Sequence, residues 1–364
     1  MSMAWTCRPG LTSHSNDSII ANVHYVHQMD SELMTTYPIT LVFADGATCT
    51  VEVGVGQNIV QAFADQGYAL LTDCSEGRCG TCMGRVLAGD VELGEYDEQT
   101  LFDDDRSQGM ILPCVATAAQ TCVIELPYDF SEVTAENIQT PVTVAESVSV
   151  AEDVVRLTLD LDAPLHFLPG QYARLTPEGH SFTRSYSMAN RPGDQRAIFY
   201  VRLVQNGAFS KWAVNEAKPG ATVLMSRPCG SFFLRDENRP RLFVAGGTGL
   251  APFLSMLHAM SHSAAQSHST QILVGARTEK HLFCLPELSD FAAKIPRLRI
   301  HTLVENVESS GFTQGFATDA ISEGTVDADA RAYLCGPPPM VEAGRKALER
   351  IKIRSSDVLC ERFT

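Results

Sequence analysis

Three cysteines lie within nine residues in the first quarter of the chain. They are Cys74, Cys79 and Cys82 in the segment DCSEGRCGTC, with the spacing C-x4-C-x2-C, and a fourth cysteine, Cys114, follows after an intervening segment. Thiolates that stand so close together repel one another unless a cation lies between them. These residue types in this arrangement therefore indicate a metal centre.

The spacing distinguishes between the possible kinds of centre. Three ligands from one loop and a fourth from a distant strand are the ligand set of one type of 2Fe-2S cluster. A zinc ribbon would need two paired knuckles, and only Cys79 and Cys82 form one. A disulfide knot would need a secretory context, which the sequence does not show. We predict a 2Fe-2S cluster, with zinc as the alternative, in a loop that Gly77 and Gly80 allow to turn tightly.

The fourth ligand has two candidates, Cys114 and Cys122. Around Cys122, apolar Ile124 and Leu126 alternate with polar residues, which is how a strand packs an ordinary cysteine into a core. We therefore predict that Cys114, which follows Pro113, is the fourth ligand.

The composition limits the classes of protein that fit. With 364 residues, of which 45% are hydrophobic, the chain is long enough for two or three globular domains. Its formal net charge of -15 argues against nucleic acid or an anionic membrane surface as the partner. No apolar run approaches the ~20 residues that span a bilayer, so we expect a soluble protein. Eleven cysteines without a secretory signal are typical of a reducing compartment, and we predict a cytoplasmic location.

Residues 1–36 show no apolar periodicity, and they lack the features of a secretory signal or a transit peptide. We predict a tail there that takes no part in the folded domains. Met34 directly precedes the first predicted strand, so an alternative start at this methionine is a second possibility.

Residues 37–127 contain the elements that would position the cysteine loop. Short β-rich runs separated by turn residues predict a hairpin, and Asn58 is placed to cap a helix before the loop. Strands are predicted at Ile39–Phe43, Thr48–Val53 and Arg85–Leu87, near Ile111, and at Cys122–Leu126. This order of elements predicts a compact α+β domain.

The segment Asp90–Asp105 holds eight carboxylates and no Lys or Arg. Such a run usually forms a solvated surface. The alternative is a docking face for a basic partner close to the metal centre. The sequence leaves both possibilities open.

A polar linker at Pro127–Gln139 leads into a second domain, residues 137–236. Short strands with frequent turns predict an all-β barrel or sandwich there, with strands at Val142–Val150, Val154–Leu161, Tyr172–Thr176, Ser185–Met188, Ile198–Leu203 and Thr222–Ser226. The strand Arg184-Ser185-Tyr186-Ser187 combines an arginine that could bind a pyrophosphate with an aromatic ring that could lie against a flat cofactor. A helix that begins near Gly207 and Ser210 would offer free amides to a phosphate.

Residues 237–364 predict a doubly wound α/β domain. A buried strand, Leu242–Ala245, runs into the glycine turn Gly246–Gly249, and Pro252 stands in the first turn of the next helix. Further strands are predicted at Ile272–Val274, Leu298–Leu303 and Ala332–Leu334. Cys335 and Gly336 end a strand at the carboxyl edge of the sheet, where such sheets bind ligands, although Cys335 is also interpretable as a small buried residue.

These three segments in this order resemble the reductase components of bacterial ring-hydroxylating (Rieske) dioxygenase systems, in particular the benzoate, toluate and anthranilate dioxygenase reductases. The resemblance runs from Thr36 to Thr364 and rests on DCSEGRCGTC, RSYSMAN, VAGGTGLAPFLSML and YLCGPPPM. It implies a plant-type ferredoxin domain of the β-grasp fold, an FAD-binding β-barrel, and a nicotinamide-binding domain of the ferredoxin-NADP reductase superfamily.

The resemblance also implies roles for individual residues. Arg184 would hold the FAD pyrophosphate, Tyr186 would flank the isoalloxazine, and Ser187 would bond near the nitrogen that accepts hydride. The other implied cofactor contacts are Ser185 beside the flavin, Gly207 and Ser210 at a second phosphate loop, Gly247, Thr248 and Gly249 at the NADH pyrophosphate, and Cys335 and Gly336 at the nicotinamide. At the C-terminus, Glu361 and Phe363 match an acidic and an aromatic residue close to the flavin, so the implied catalytic set is Ser187, Cys335 and Glu361.

The cofactors explain why such domains share a chain. NADH gives up two electrons together, whereas an iron-sulfur cluster accepts one at a time, and a flavin can mediate between them. We predict electron flow from NADH through FAD and the 2Fe-2S cluster to a partner dioxygenase. One alternative partner is a di-iron monooxygenase, and an alternative of another class is an iron-sulfur redox sensor.

The choice of nicotinamide is open from the residues alone. After the second strand of the last domain, Arg277 and Lys280 could bind a 2'-phosphate, whereas Glu279 could bond to a ribose hydroxyl and repel that phosphate. The resemblance favours NADH.

Overall fold

The computed structural model describes residues 36–98, 100–133, 139–235, 238–262, 268–309 and 311–363. The predicted N-terminal tail and the possible start at Met34 lie outside these residues. The chain divides into two compact units. Within the described residues, unit 1 contains 36–70, 75–77 and 82–133, and unit 2 contains Leu71–Cys74, Arg78–Thr81 and the chain from residue 139 onward.

Unit 1 is an α+β fold, as the sequence predicts. Its elements are β1 (Thr36–Val42), β2 (Thr48–Gly54), α1 (Ile59–Asp65), β3 (Gly84–Ala88), β4 (Val91–Leu93), α2 (Asp103–Ser107), β5 (Met110–Ile111), β6 (Ala116–Ala118) and β7 (Cys122–Glu125). Five strands form a sheet in the order β2-β1-β7-β3-β5, in which β1 and β7 are parallel, and β4 pairs with β6. The helix α2 and the β4–β6 pair were not predicted.

Local sequence explains the start of α1. The Asn58 side chain accepts a 3.1 Å hydrogen bond from Gln61 N, which satisfies one of the free amides at a helix N-terminus. Ile59, Ala62 and Phe63 follow at helical spacing, and all three are buried. The predicted helix is therefore confirmed, and it ends at Asp65, nine positions before Cys74.

The first half of unit 2 is the predicted all-β domain. Its elements are β8 (Gln139–Ala151), β9 (Val154–Asp160), β10 (Tyr172–Pro177), β11 (Arg184–Ser187), β12 (Arg196–Arg202), α3 (Ala208–Asn215) and β13 (Thr222–Ser226). The strands form one sheet in the order β11-β10-β13-β8-β9-β12. Ala189 N, just after β11, donates a 2.8 Å hydrogen bond to Ile198 O in β12. This bond connects the two edges of the sheet and closes it into a barrel.

The second half of unit 2 is a doubly wound parallel sheet. Its elements are β14 (Arg241–Gly246), α4 (Ala251–Ser261), β15 (Thr270–Ala276), α5 (Leu285–Lys294), β16 (Leu298–Val304), β17 (Thr313–Gln314), β18 (Arg331–Gly336), α6 (Pro338–Arg350) and β19 (Val358–Arg362). The strand order is β17-β16-β15-β14-β18-β19, with every neighbouring pair parallel. Short 3-10 helices lie at Phe130–Glu132, Gly247–Leu250, Glu279–His281, Ala317–Ala320 and Ser355–Asp357.

Alternate residues of this sheet face two separate cores. Phe243 packs with Phe253 of α4 and Phe291 of α5 on one face. Its neighbour Val244 packs with Leu348 of α6 on the other face. Strands buried on both faces must be apolar throughout, which is why Leu242–Ala245 was recognisable from the sequence.

No helix within the described residues is long and apolar enough to cross a membrane.

Candidate functional site

Ser187, Cys335 and Glu361 meet in unit 2, although they come from three different strands. Glu361 Oε2 accepts hydrogen bonds from Ser187 Oγ at 3.0 Å and from Cys335 Sγ at 3.7 Å. The two strands β18 and β19 are parallel, and their register sets Cys335 directly beside Glu361. Ser187 is the last residue of β11 and comes from the barrel. The structure thus brings together the three residues that the resemblance implies as a catalytic set.

Burial keeps the carboxyl group of Glu361 close to neutral. It raises the pKa of Glu361 to about 8, and the negative charge of Asp73 adds to the increase, while the hydrogen bonds from Ser187 and Cys335 oppose it. Burial also raises the pKa of the Cys335 thiol well above its usual range, with Glu361 contributing. At pH 7 the Glu361 carboxyl and the Cys335 thiol are therefore mainly protonated, and the trio carries little charge.

A cavity of about 1180 Å³ opens beside the trio within unit 2. Single-ligand pockets are typically about 300–1,000 Å³, so there is room for more than one compact ligand. The predicted cofactor residues that line it are Arg184, Ser185, Tyr186, Ser187, Gly207, Ser210, Gly247, Thr248, Glu361 and Phe363. Cys74 and Cys79 line it as well.

The barrel side of the cavity is formed by β11 and the start of α3. Tyr186 packs against Phe209, with ring centroids 4.8 Å apart, and burial raises the pKa of its hydroxyl. Arg184 is exposed and donates a 2.7 Å hydrogen bond to Thr183 O. Gly207 is the N-cap of α3 and forms no side-chain capping bond, so the first amides of the helix remain available to an anion. These features fit a flat aromatic cofactor with a phosphate arm.

The nucleotide side of the cavity depends on glycines. Gly247 has φ +55°, and a Cβ there would meet no atom within 4 Å, so its backbone borders open space. At Gly249 a Cβ would lie 2.0 Å from Cys335 O, so only glycine allows this close approach of the turn to β18. Gly336 has φ +156°, and its carbonyl accepts a 3.1 Å hydrogen bond from Phe363 N. The turn can therefore present its backbone to a pyrophosphate.

Cys74 and Cys79 form a close pair in unit 2. A hydrogen bond to Cys74 and burial both raise the pKa of Cys79, and Arg78 N donates to Cys74 Sγ at 3.3 Å. Ser75, Gly77 and Gly80 all have positive φ, between +56° and +78°, as expected of a loop that wraps around a centre. Two crowded thiols, one of which accepts a backbone amide hydrogen bond, are a suitable donor pair for iron.

Cys82 and Cys114 form a second pair in unit 1. Both are 3% exposed and belong to one buried cluster with Leu101 and Leu112. The backbone of Cys114 is tied to the start of α1, because Asn58 Nδ2 donates to its carbonyl oxygen. Two cysteines per iron are what a 2Fe-2S cluster requires.

Cys122 has a different environment from Cys114. It lies on β7, opposite Ile39 of β1, and is 1% exposed. Burial, together with the charge of Asp90, raises the pKa of its thiol to about 11. These contacts are those of a core residue in a sheet.

Within the residues that the structure describes, no three His, Cys, Asp or Glu side chains are arranged to hold one metal ion. The donor set itself is four thiols, three of them spaced C-x4-C-x2-C and the fourth distant in the sequence, which fits the predicted 2Fe-2S cluster.

Glu279 is hydrogen-bonded to the loop that follows β16. Its Oε1 accepts hydrogen bonds from the backbone amides of Glu308 and Ser309, at 2.8 and 2.9 Å. It does not line the cavity, whereas Arg277 does. No local pattern in the sequence indicates this loop contact, because its partners lie 29 and 30 positions away.

Several residues that line the cavity were not predicted as site residues, among them two aromatic residues. Tyr172 of β10 and Phe316, whose exposed fraction is 54%, both line the cavity. Tyr172 lies opposite Ser187 in the antiparallel pairing of β10 with β11. The pairing of β10 with β11 places Tyr172 beside Ser187 and so identifies it as a site residue. Strands predicted one at a time from the sequence do not reveal which strands pair.

Three domain families match the chain in succession. They are the 2Fe-2S iron-sulfur cluster binding domain at residues 42–119, the oxidoreductase FAD-binding domain at 141–234 and the oxidoreductase NAD-binding domain at 243–346. Together with the cavity and the cysteine loop, they define an iron-sulfur flavoprotein oxidoreductase that uses a nicotinamide. The cofactors are a 2Fe-2S cluster, FAD and NADH, as the sequence predicted.

Relatives extend over all three domains. The 2-halobenzoate 1,2-dioxygenase electron transfer component of Burkholderia cepacia is 33% identical over 331 residues, which cover 90% of this chain and 98% of the relative. The xylene/toluene monooxygenase electron transfer component of Pseudomonas putida is 30% identical over 338 residues, covering 92% and 96%. The crystal structure of a cytochrome P450 reductase from Amycolatopsis is similar with a TM-score of 0.66, at 28% identity, covering 90% of this chain and 99% of that one. The chain belongs to the family of electron transfer components of aromatic-ring dioxygenase systems and their relatives.

Proposed function

We propose that this chain passes electrons from NADH through FAD and the 2Fe-2S cluster to a partner ring-hydroxylating dioxygenase. The observation that carries the proposal is the bond between Ser187 Oγ and Glu361 Oε2, because it joins the barrel to the nucleotide-binding sheet at the wall of one cavity. When bound, FAD accepts a hydride from NADH and returns electrons singly to the cluster. The chain itself supplies binding, orientation and electrostatics.

The trio orients the hydride donor and acceptor. Ser187 is 4% exposed and fixed by its bond to Glu361, so its hydroxyl is held at the cavity wall. The neutral carboxyl of Glu361 places no full negative charge there, which matters because a hydride carries negative charge into the site. The Cys335 thiol donates a hydrogen bond to the same oxygen, Glu361 Oε2.

The remaining contacts would hold the two organic cofactors. For FAD, Arg184 would bind the pyrophosphate, Ser185 and Tyr186 would contact the ring system, and Gly207 and Ser210 would present helix α3 to phosphate. For NADH, Gly247, Thr248 and Gly249 would approach the pyrophosphate, with Gly336 at the nicotinamide and Phe363 closing the flavin side. Cys74, Cys79, Cys82 and Cys114 would hold the cluster.

The acidic segment supplies a docking face in this proposal. Asp90, Glu92, Glu95, Glu98 and Asp103 are exposed. Asp105 is 4% exposed and buried, so the face is smaller than the run of eight carboxylates suggests. An acidic face near the cluster would attract a basic surface on the oxygenase.

Reconstitution with purified oxygenases tests the proposal. We expect this chain and a Rieske dioxygenase to couple NADH oxidation to formation of the dihydroxylated product, with rates that fall as salt rises. The double variant Glu98→Gln/Asp103→Asn should couple more slowly and with a weaker salt dependence than the control Glu323→Gln/Glu349→Gln. Coupling only to a di-iron monooxygenase would move the chain to the alternative partner. Absence of steady NADH-dependent reduction of dichlorophenolindophenol would indicate a sensor.

A further inference from the structure

The residues that flank Cys74 and Cys79 are tied to the barrel by side-chain contacts within unit 2. Arg174 Nη2 donates to Thr72 O at 2.5 Å, and Arg174 Nε lies 3.7 Å from Asp73 Oδ1. Ser185 Oγ donates to the same Asp73 oxygen at 2.9 Å. We call the segments Leu71–Cys74 and Arg78–Thr81 the clamped segments.

Two further bonds strengthen this attachment. Tyr172 OH donates to Thr72 O at 3.3 Å, and Ser231 Oγ donates to Thr81 O at 2.8 Å. The clamped segments are therefore held on both sides of Cys79. Tyr172 is 3% exposed, so its hydroxyl reaches them from a fixed, buried ring.

The barrel residues of this attachment belong to the strand pair that lines the cofactor cavity. In the antiparallel register of β10 and β11, Arg174 faces Ser185, and Tyr172 faces Ser187. The first pair of residues contacts Asp73, and the second pair includes a member of the catalytic trio. A displacement of β10 or β11 would thus move the clamped segments and the flavin side of the site together.

Arg174 is the central residue of the attachment between the clamped segments and the barrel, and its side chain is partly buried. The exposed fractions of the Arg174 and Asp73 side chains are 25% and 31%. Arg174 is also held through its backbone, because Arg174 N donates to Ser226 Oγ at 2.9 Å. A guanidinium has fixed donor directions, so it can bind a carbonyl oxygen and a carboxylate together, which an ammonium does less well.

We propose that Arg174, supported by Tyr172 and Ser185, is a positioning residue that fixes the iron ligands Cys74 and Cys79 relative to the FAD-binding strands. This inference rests on the proposed function, because it assumes that the cluster receives its electrons from the flavin. Electron transfer slows steeply as the separation of donor and acceptor grows. Loss of the Arg174 contacts with the clamped segments should therefore slow reduction of the cluster. Reduction of the flavin by NADH should keep the rate of the parent protein.

The test compares Arg174→Met with Arg174→Lys in the full holoprotein. A matched control is Arg196→Met, which removes another barrel arginine, one whose ion pair with Asp160 at 2.8 Å lies away from the clamped segments. Iron and flavin content are measured first. If Arg174→Met loses iron, Ser231→Ala replaces it in both measurements below, because it removes the hydrogen bond to Thr81 O and Ser231 does not line the cavity.

The first measurement is hydrogen exchange of the peptide that covers residues 71–81. We expect several-fold faster amide exchange in Arg174→Met, partial recovery in Arg174→Lys, and parent rates in Arg196→Met. If amide exchange in Arg174→Met equals that of the parent, the proposal that Arg174 holds the clamped segments is wrong.

The second measurement is anaerobic stopped-flow reduction by NADH. We expect flavin bleaching at the parent rate and cluster bleaching slowed several-fold in Arg174→Met. Equal cluster bleaching in parent and variant would overturn the positioning role, even if the exchange rates differ. Failure of the proposed function is distinguishable, because then the cluster of the parent protein would itself stay oxidised after NADH is added.

Discussion

Ser187 and Glu361 stand 174 positions apart in the chain, and Ser187 Oγ donates a 3.0 Å hydrogen bond to Glu361 Oε2. One residue ends a barrel strand and the other lies near the end of the last strand of the parallel sheet. The bond therefore connects the two halves of unit 2 where their ligands would meet. The carboxyl that accepts it titrates near pH 8, which makes the connection sensitive to pH.

Glu361→Gln should remove a pH dependence of flavin reduction. In the parent, Glu361 is protonated below about pH 8 and ionises as the pH rises through that value, so the rate of NADH-dependent flavin reduction should fall there. The variant should give a flat profile in stopped-flow measurements. The exposed substitution Glu349→Gln serves as control, and a parent profile without a step near pH 8 contradicts the assignment.

The same shift has a consequence for stability. The pKa of Glu361 is raised from 4.5 to about 8 on folding, so its stabilising contribution is complete below pH 4.5 and is lost as the pH rises toward 8. The melting temperature of the parent should therefore decline across this window more than that of Glu361→Gln. Parallel curves would show that the carboxyl is not buried in solution.

Cys114→Ala and Cys122→Ala form a matched pair, since both cysteines are buried in unit 1. Loss of an iron ligand should abolish the cluster in Cys114→Ala, while flavin-dependent reduction of dichlorophenolindophenol by NADH is retained. Cys122→Ala should keep the cluster and lose only packing in the sheet, about 1 kcal/mol. Iron analysis and visible spectra measure both, and a reversed result would move the ligand role to Cys122.

Gly249→Ala should weaken the use of NADH. The added Cβ would lie 2.0 Å from Cys335 O, so the turn or β18 must shift, at a cost of about 1–3 kcal/mol. The KM for NADH should rise several-fold, and flavin content should be unchanged. Gly54→Ala, where the nearest atom lies at 3.4 Å, is the control. If the KM for NADH equals that of the parent, Gly249 does not contribute to the nucleotide site.

NADH should be strongly preferred over NADPH. Arg277 lies 3.8 Å from Asp153, and Lys280 forms a 2.8 Å ion pair with Glu308, so both cations that could attract a 2'-phosphate already have acidic partners. Steady-state turnover with each coenzyme measures the preference. Comparable kcat/KM values for NADH and NADPH would contradict the predicted preference.

Local patterns in the sequence account for a large part of this structure. The capping Asn58 and the apolar strand Leu242–Ala245 were predictable because their signals lie within a few residues. The cysteine loop was recognisable because ligand spacing is itself a sequence property. Glu361 and Phe363 were found through resemblance to relatives, since no local pattern distinguishes them.

What the sequence did not reveal depends on pairing between distant segments. Asp105 looks like its exposed neighbours in an acidic run, and only the packing of α2 shows that it is buried. Arg174 looks like any polar residue of an alternating strand, and its contact with Thr72 spans 102 positions. The register of β10 against β11 sets Arg174 opposite Ser185, which also contacts the clamped segments, and register is a property of the folded sheet.

Anaerobic addition of NADH to the purified holoprotein, followed by stopped-flow absorption and by electron paramagnetic resonance, tests the central claim most directly. The account predicts that the flavin band bleaches first and that the signal of a reduced 2Fe-2S cluster then appears, without any added mediator. A flavin that is fully reduced while the cluster remains oxidised would contradict it.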